Sequence, residues 1–224
     1  MQKKVLAAVV LAGLCLASVA GATPMTEFHK GKGQVSVSAW HHDASIDNAL
    51  NPDFGSKWGF NGDVTYGVAE KWGVQYRYHN LSTGEANAYY GIVNYSGLNG
   101  NEHELNVLYS FDPNAAAYVG WHRIHADGSA NVDLDDNHFT DNDSATNNVA
   151  QIGVVAKTEL AKNLNLYGNF ALGTKSTVMG EAGLGYTFTP DWDVNVGYRY
   201  LKTDLGSTVK WKGFMLGVSY KFGK

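Results

Sequence analysis

The feature that most constrains this chain is strict period-2 alternation, repeated along almost its whole length. Between residues 56 and 68, Trp58, Phe60, Val64, Tyr66 and Val68 share one face, and Gly59, Asn61, Asp63, Thr65 and Gly67 share the other. Such alternation is the signature of a strand with two unlike faces. It recurs at about 34–42, 72–80, 102–111, 116–125, 149–158, 163–173, 177–188, 192–201 and 210–222. The pattern predicts ten strands of roughly ten residues, the length a tilted strand needs to cross a bilayer. Past residue 22 no apolar run is long enough for a membrane-spanning helix.

The predicted connections alternate in length. Short turns fall near Ala69–Lys71, Asp112–Ala115, Glu159–Lys162 and Thr189–Asp191; long connections fall at about 43–55, 81–101 and 126–148, with shorter partners at 174–176 and 202–209. Short turns at one end and long loops at the other suit an all-β, up-and-down antiparallel transmembrane barrel. Pro113, Pro190, Pro52 and Pro24 all lie outside the predicted ladders, where proline would delete a hydrogen bond. The stretch 87–97, "NAYYGIVNYSG", is strand-like inside a long loop: either a hairpin projecting above the membrane or a strand displacing another. An eight-stranded barrel stays open if one weak hairpin is misplaced.

The first residues, "MQKK" followed by "VLAAVVLAGLCLASVA", have the basic start and apolar core of a secretory leader, and Ala20-Gly21-Ala22 fits a small-x-small cleavage site. Residues 1–22 are therefore expected to be removed, leaving 23–224 as one barrel domain. Cys15, the only cysteine, leaves with the leader, so no disulfide is available. The formal net charge of −4 is spread without a basic patch, which argues against a nucleic-acid partner.

A water-soluble barrel also alternates, with its apolar face inward. Here the polar face is mostly Gly, Asn, Gln, Ser and Thr, poorer in charge than a solvated sheet. The apolar face carries two aromatic levels. Tyr66, Trp72, Tyr109, Phe111, Tyr186, Phe188, Trp192, Tyr220 and Phe222 cluster beside the short turns; Trp58, Phe60, Tyr78, Trp121, Tyr198, Tyr200 and Phe214 lie toward the long loops. Two such levels suit interfacial girdles.

With its leader, its hairpins and the alternating last strand Phe214, Leu216, Val218, Tyr220, Phe222, the chain resembles the small bacterial outer-membrane β-barrels of the OmpA, OmpX and opacity-protein type. The opening "TPMTEFHKGKGQ" resembles the mature start of porin-like barrels. The resemblance implies an outer-membrane location, lipid and lipopolysaccharide contacts, insertion by the barrel-assembly machinery reading an aromatic strand end, and a monomer. Gly223 and Lys224 after Phe222 depart from that ending. No wall-binding domain is expected after the barrel.

Folding Ala69–Lys71 as a three-residue turn puts Arg77 directly across from Asp63. Folding Thr189–Asp191 likewise puts Arg199 across from Glu181. Both pairs then face the lumen, and Glu102, Glu104, Asp193 and Lys157 share that face. A one-residue slip would send these charges into lipid, where an arginine costs about 2–4 kcal/mol near the midplane. The expected role is to fill and brace a narrow lumen; the other reading is a selectivity or gating element.

His41, His42, His79, His122 and His125 fall near the loop ends, as rim histidines, and no metal site or cofactor is expected from their spacing. Asp43 beside His42 has the residue types of a hydrolytic rim, as in omptin-like proteases, but no matching motif accompanies it. Asp127, Asp133, Asp135, Asp136, Asp141 and Asp143 read as an acidic crown that could bridge to lipopolysaccharide through divalent ions, since the regular calcium-loop spacing is missing. The expected function is a structural or surface-interaction barrel with a polar, largely plugged lumen. The alternative is a narrow porin, and a rim hydrolase is a distant third.

Overall fold

The computed structural model describes residues 23–48, 50, 52–88, 93–134 and 137–223. The predicted leader, residues 1–22, lies outside the described residues, as do Asp135 and Asp136. The chain forms eleven antiparallel strands: β1 (Gly33–Asp47), β2 (Asp53–Ala69), β3 (Trp72–Asn80), β4 (Ala86–Ala88), β5 (Val93–Asp112), β6 (Ala115–Leu134), β7 (Asn137–Ala161), β8 (Leu164–Gly173), β9 (Val178–Thr189), β10 (Trp192–Asp204) and β11 (Thr208–Phe222). Ten of them follow one another around a barrel, β4 pairing only with β5. β1 pairs with β11, and β9 runs beside β10, so the sheet closes on itself around the barrel.

The stretch 87–97 resolves as the hairpin reading. Ala86 stands opposite Tyr95, in the wall between β2 and β5, and residues 89–92 lie outside the described residues. The expected long loop at 126–148 is largely strand instead. β6 and β7 stay paired from Ala115↔Ala156 up to Leu134↔Asn137. Twenty residues of strand span about 65 Å, far more than a bilayer needs. Asp, Asn, Ser and Gly dominate this extension and have low strand propensity, so its pairing, sustained by the ladder, is hidden from a local reading. β1, β2 and β10 likewise run past their predicted ends.

The short turns keep the expected register by a slightly different route. Ala69 pairs with Trp72 around Glu70 and Lys71, and a bulge at Val68 restores Gly67↔Gly73. Lys71 adopts φ of 67°, and Asn163 in the β7–β8 turn does the same. A tight turn with a left-handed residue and a bulge is a favoured hairpin solution.

Side-chain polarity divides the barrel into two levels. Near the short turns the outward face is apolar and exposed, with Val35, Val64, Leu105, Val107, Ile152 and Leu216, while Gln34, Ser36, Thr65, Asn106, Gln151 and Ser219 are buried inside. Toward the other end the order inverts. Trp40, Phe54, Leu81, Ile124, Leu201 and Trp211 are buried inside, and Asp43, Arg123, Lys202, Lys210 and Lys212 alternate onto the outer face. The expected polar lumen is thus confined to the short-turn half. Above it the interior is the core of a water-exposed barrel, because there the surroundings outside are water and burial of apolar area is favoured inward.

Candidate functional site: a braced and capped lumen

Two arginines organise the polar half. Asp63 stands opposite Arg77 in the β2–β3 register. The guanidinium nevertheless forms its ion pairs elsewhere: Arg77 Nη2 donates to Glu181 Oε2 across the lumen at 2.6 Å, and Nη1 lies 3.5 Å from Glu104 Oε1. Arg199 differs from expectation too. Its partners are not Glu181 but groups from β3 and β5: Nη2 lies 2.5 Å from Glu102 Oε1 and 3.3 Å from Glu104 Oε1, and Nη1 lies 2.5 Å from His79 Nε2. The guanidinium carbon sits 5.6 Å from the Trp40 ring centroid, within cation–π range. The reason for the exchange is reach. A long guanidinium in a narrow barrel finds carboxylates on facing strands as readily as on its neighbour, and Glu104 stands between both arginines.

The histidines separate by strand phase. His42, His79 and His122 are buried in the lumen rather than lying at the rim, while His41 and His125 face outward. His122 Nε2 lies 2.7 Å from Glu102 Oε1, close enough to pair but off the line of a hydrogen bond. His79, Glu102 and Glu104 bring donor atoms within 4.8 Å of one another, a spacing suited to a metal ion. The Arg199 guanidinium already contacts all three residues, so a cation of the chain itself occupies that position. Lys157 stands apart from this cluster: it pairs in register with Tyr167, and its backbone N–H donates to Asn114 in a short turn. Asp193, also at that end, is held by Thr187 and Lys221. His42 stacks on Trp40 at 4.1 Å, while Asp43 faces outward 3.8 Å from Lys212. Adjacent strand residues point to opposite faces, so these two do not form a dyad.

A second element was not foreseen. Residues 23–32, preceding β1, fold across the short-turn mouth. Thr26 Oγ1 donates to Pro113 O at 2.8 Å, Lys71 N to Phe28 O at 3.0 Å and Gly31 N to Gly67 O at 3.0 Å. Gln34 Nε2 donates to Thr23 O at 2.9 Å. Phe28 is buried against Gly73, where a Cβ would stand 2.7 Å from its ring, and a Cβ on Gly185 would collide with Thr23 Oγ1. Only glycine leaves room for the segment at these two places. Between this cap and the arginines remains a cavity of about 30 Å³, lined in part by Met25, Asp63, Arg77, Tyr118, Tyr167 and Glu181, enough for a water or two.

The girdle residues expected beside the short turns meet as cross-strand neighbours. Ring centroids are 4.9 Å apart for Trp72 and Tyr109 and 4.8 Å for Trp192 and Tyr220, while Tyr66 and Phe222, two strands apart, stack at 6.5 Å across Gly33 of β1. Tyr186 stands opposite Leu164.

Residues 6–177 and 171–222 match the family described as outer membrane protein beta-barrel domain. The chain belongs to this family. It is a multi-pass barrel of the bacterial outer membrane, so the short-turn end is periplasmic and the tall end faces outward. No curated protein matches the sequence. Among solved structures, the barrel is similar to the outer membrane protease OmpT from Escherichia coli, at 11% identity, covering 90% of this chain and 100% of that one with a TM-score of 0.56. It is also similar to the translocator domain of the autotransporter NalP from Neisseria meningitidis, at 10% identity, covering 98% and 94% with a TM-score of 0.53. At such identity the likeness extends to the fold alone. The Yersinia pestis attachment invasion locus protein Ail aligns over 86% of this chain and 99% of its own at 16% identity, with a TM-score of 0.45.

Proposed function

We propose that this barrel is a structural outer-membrane protein with a sealed lumen, whose tall β5–β6–β7 wall presents a polar surface outside the cell. One observation carries the reading: the lumen is filled at three successive levels. The segment 23–32 caps the periplasmic mouth, the Arg77–Glu104–Arg199 cluster with Trp40 braces the middle, and Leu81 and Trp211 fill the level above. A hydrated ion needs a continuous polar path, and an apolar layer opposes one. The aromatics Tyr66, Trp72, Tyr109, Tyr186, Trp192, Tyr220 and Phe222 then form the periplasmic-side interfacial girdle. Phe222 is the strand-end aromatic offered to the assembly machinery, and a barrel closed through β1 and β11 suits a monomer.

A narrow cation porin is the second reading. Its support is composition: in the buried cluster Asp63, Glu102, Glu104 and Glu181 outnumber Arg77 and Arg199. Planar-bilayer recording of the refolded protein separates the two. Silence is expected from the wild type, and no steady openings from Phe28→Ala, since the middle and upper levels stay closed. Steady cation-selective openings of the wild type would overturn the sealed-lumen reading in favour of the porin.

A further inference from the structure

At the outward end, the inner face of the tall wall is hollow. β6 turns the small residues Ala126, Gly128 and Ala130 inward, and its neighbours flank them in register. In one row Tyr95 on β5 stands opposite Ala130, and Ala130 stands opposite Asp141 on β7. In the row below, Leu98, Gly128 and Asp143 repeat that order. Opposite residues of an antiparallel pair share a face. An apolar side and an acidic side therefore look at each other across a column of small residues. They stand two strand spacings apart, about 10 Å. Ile46, Phe54, Leu205 and Val209 close the hollow from other parts of the barrel. The result is an open cup of about 470 Å³ above the apolar core, within the size range of a small-molecule site.

The apolar side is aromatic. The Tyr95 and Phe54 rings meet edge-on, with centroids 5.7 Å apart and planes 67° apart. Phe54 is buried, while Tyr95 is only partly so. An aromatic face attracts a cation. On the other side Asp141 and Asp143 are exposed. Asp143 Oδ1 accepts the N–H of adjacent Ser144 at 2.8 Å, and among the described residues neither carboxylate pairs with a lysine, arginine or histidine. Two carboxylates on one face of a strand repel each other and gain from a shared cation. On the outer wall the acidic groups are answered: Asp47 lies 2.6 Å from Lys210 and Asp43 3.8 Å from Lys212. Lys175, which reaches the mouth, is held lower on β7, by Asn147 Oδ1 at 3.0 Å.

We infer that this cup binds a small organic cation with an apolar body, an aryl- or alkylammonium. The ammonium group sits between the Tyr95 ring and the two carboxylates. The apolar body rests on Leu98, Phe54 and Val209. The parts of the cup select by exclusion as well as attraction. An anion meets two uncompensated carboxylates. A hydrated metal ion gains nothing from the aromatic floor, and a neutral hydrocarbon loses the charge contacts. The cup lies above the filled levels of the lumen. The inference therefore goes beyond the sealed-lumen reading and is independent of whether the lumen conducts.

The test is an NMR titration of the full mature barrel in nanodiscs of zwitterionic lipid. Benzyltrimethylammonium is the probe, and the methyl groups of Leu98, Ala126, Ala130 and Val209 are the reporters. Wild type shows saturable shifts at these methyls. The double variant Asp141→Asn/Asp143→Asn binds about tenfold more weakly. Tyr95→Leu binds about fivefold more weakly, the loss of one cation–π contact. Ala130→Leu fills the hollow and abolishes the saturable shifts. Asp43→Asn, a carboxylate of the outer face paired with Lys212, stays within about twofold of wild type. Benzylsulfonate, with the same ring and the opposite charge, gives no saturable shifts; that comparison needs no variant. Heat-modified gel mobility checks that each variant is folded. Equal affinity of wild type and the double variant would sink the inference. So would saturable binding of benzylsulfonate at the same methyls, or shifts confined to the lipid-facing Leu105 and Val107, which would mark partition into the bilayer.

Discussion

The periplasmic-side half and the outward half of this barrel are built from the same strands with opposite polarity. On β1, Gln34 and Ser36 face in and Val35 and Val37 face out; a few residues further, Trp40 and Ala44 face in and Asp43 and Asp47 face out. Along β1 the alternation keeps its phase. What changes is the solvent outside. Against lipid, apolar groups belong outward and polar groups must find partners inside. Against water, the ordinary rule returns. The change of polarity along β1, β10 and β11 is the expected mark of the outer membrane boundary.

This contrast can be broken by mutation. The largest effect is expected for Arg199→Ala in the lower half. It strands the buried Glu102 and Glu104, and uncompensated buried charge costs about 3–5 kcal/mol, read as a lower urea midpoint in micelles. Trp211→Ala leaves a void in the upper core at a similar cost of about 3–5 kcal/mol. Its signature differs: hydrogen exchange should accelerate at the outward ends of β10 and β11 while the lower ladders stay protected. Acceleration spread evenly over all ten strands would mean the two halves are one cooperative unit. Next comes Val107→Arg on the lipid face, expected to cost about 2–4 kcal/mol in bilayers. The matching change on the tall wall, Asn142→Arg, should stay within about 0.5 kcal/mol. Similar costs for the two would erase the proposed boundary.

The smallest effect is electrostatic and lies at the periplasmic cap. His29 Nδ1 is 2.8 Å from Glu70 Oε2 and Nε2 is 3.3 Å from Glu27 Oε1. The hydrogen bond to Glu70 is the main reason the imidazole titrates above its ordinary value of 6.5, with the charges of Glu70 and Glu27 adding to it and partial desolvation opposing it. A group whose folded value is raised stabilises fully below its unfolded value and loses that contribution as pH rises through the folded one. The cap is thus held slightly more firmly in acid. An NMR titration should show the His29 midpoint falling in Glu70→Gln; an unmoved midpoint would remove Glu70 as the cause.

Part of the lumen cluster was legible in the residues. Arg77 and His79 are two apart and share a face, and Arg199 lies on an inward phase of its own strand. The Asp63–Arg77 register followed from turn length alone, because a bulge and a two-residue turn add to the same offset as a three-residue turn. The register of β3 on β5, which sets Arg77 opposite Glu104 and His79 opposite Glu102, was hidden by the irregular connection between them. The height of His79 and His122 was misjudged for a related reason: strands that continue past the bilayer put the rim much further along the chain.

Periodicity determined the barrel, its inward and outward residues and its membrane-facing aromatics, because alternation is a local property of the backbone. Partner choice was decided only in three dimensions. Arg77 reaches Glu181 from 104 residues away and Arg199 reaches Glu102 from 97, since closing the sheet brings facing strands within a side chain's length. The cap of residues 23–32 also needed the closed mouth to exist. Its sequence carries no period, and its hydrogen bonds go to turns that only the finished barrel brings together.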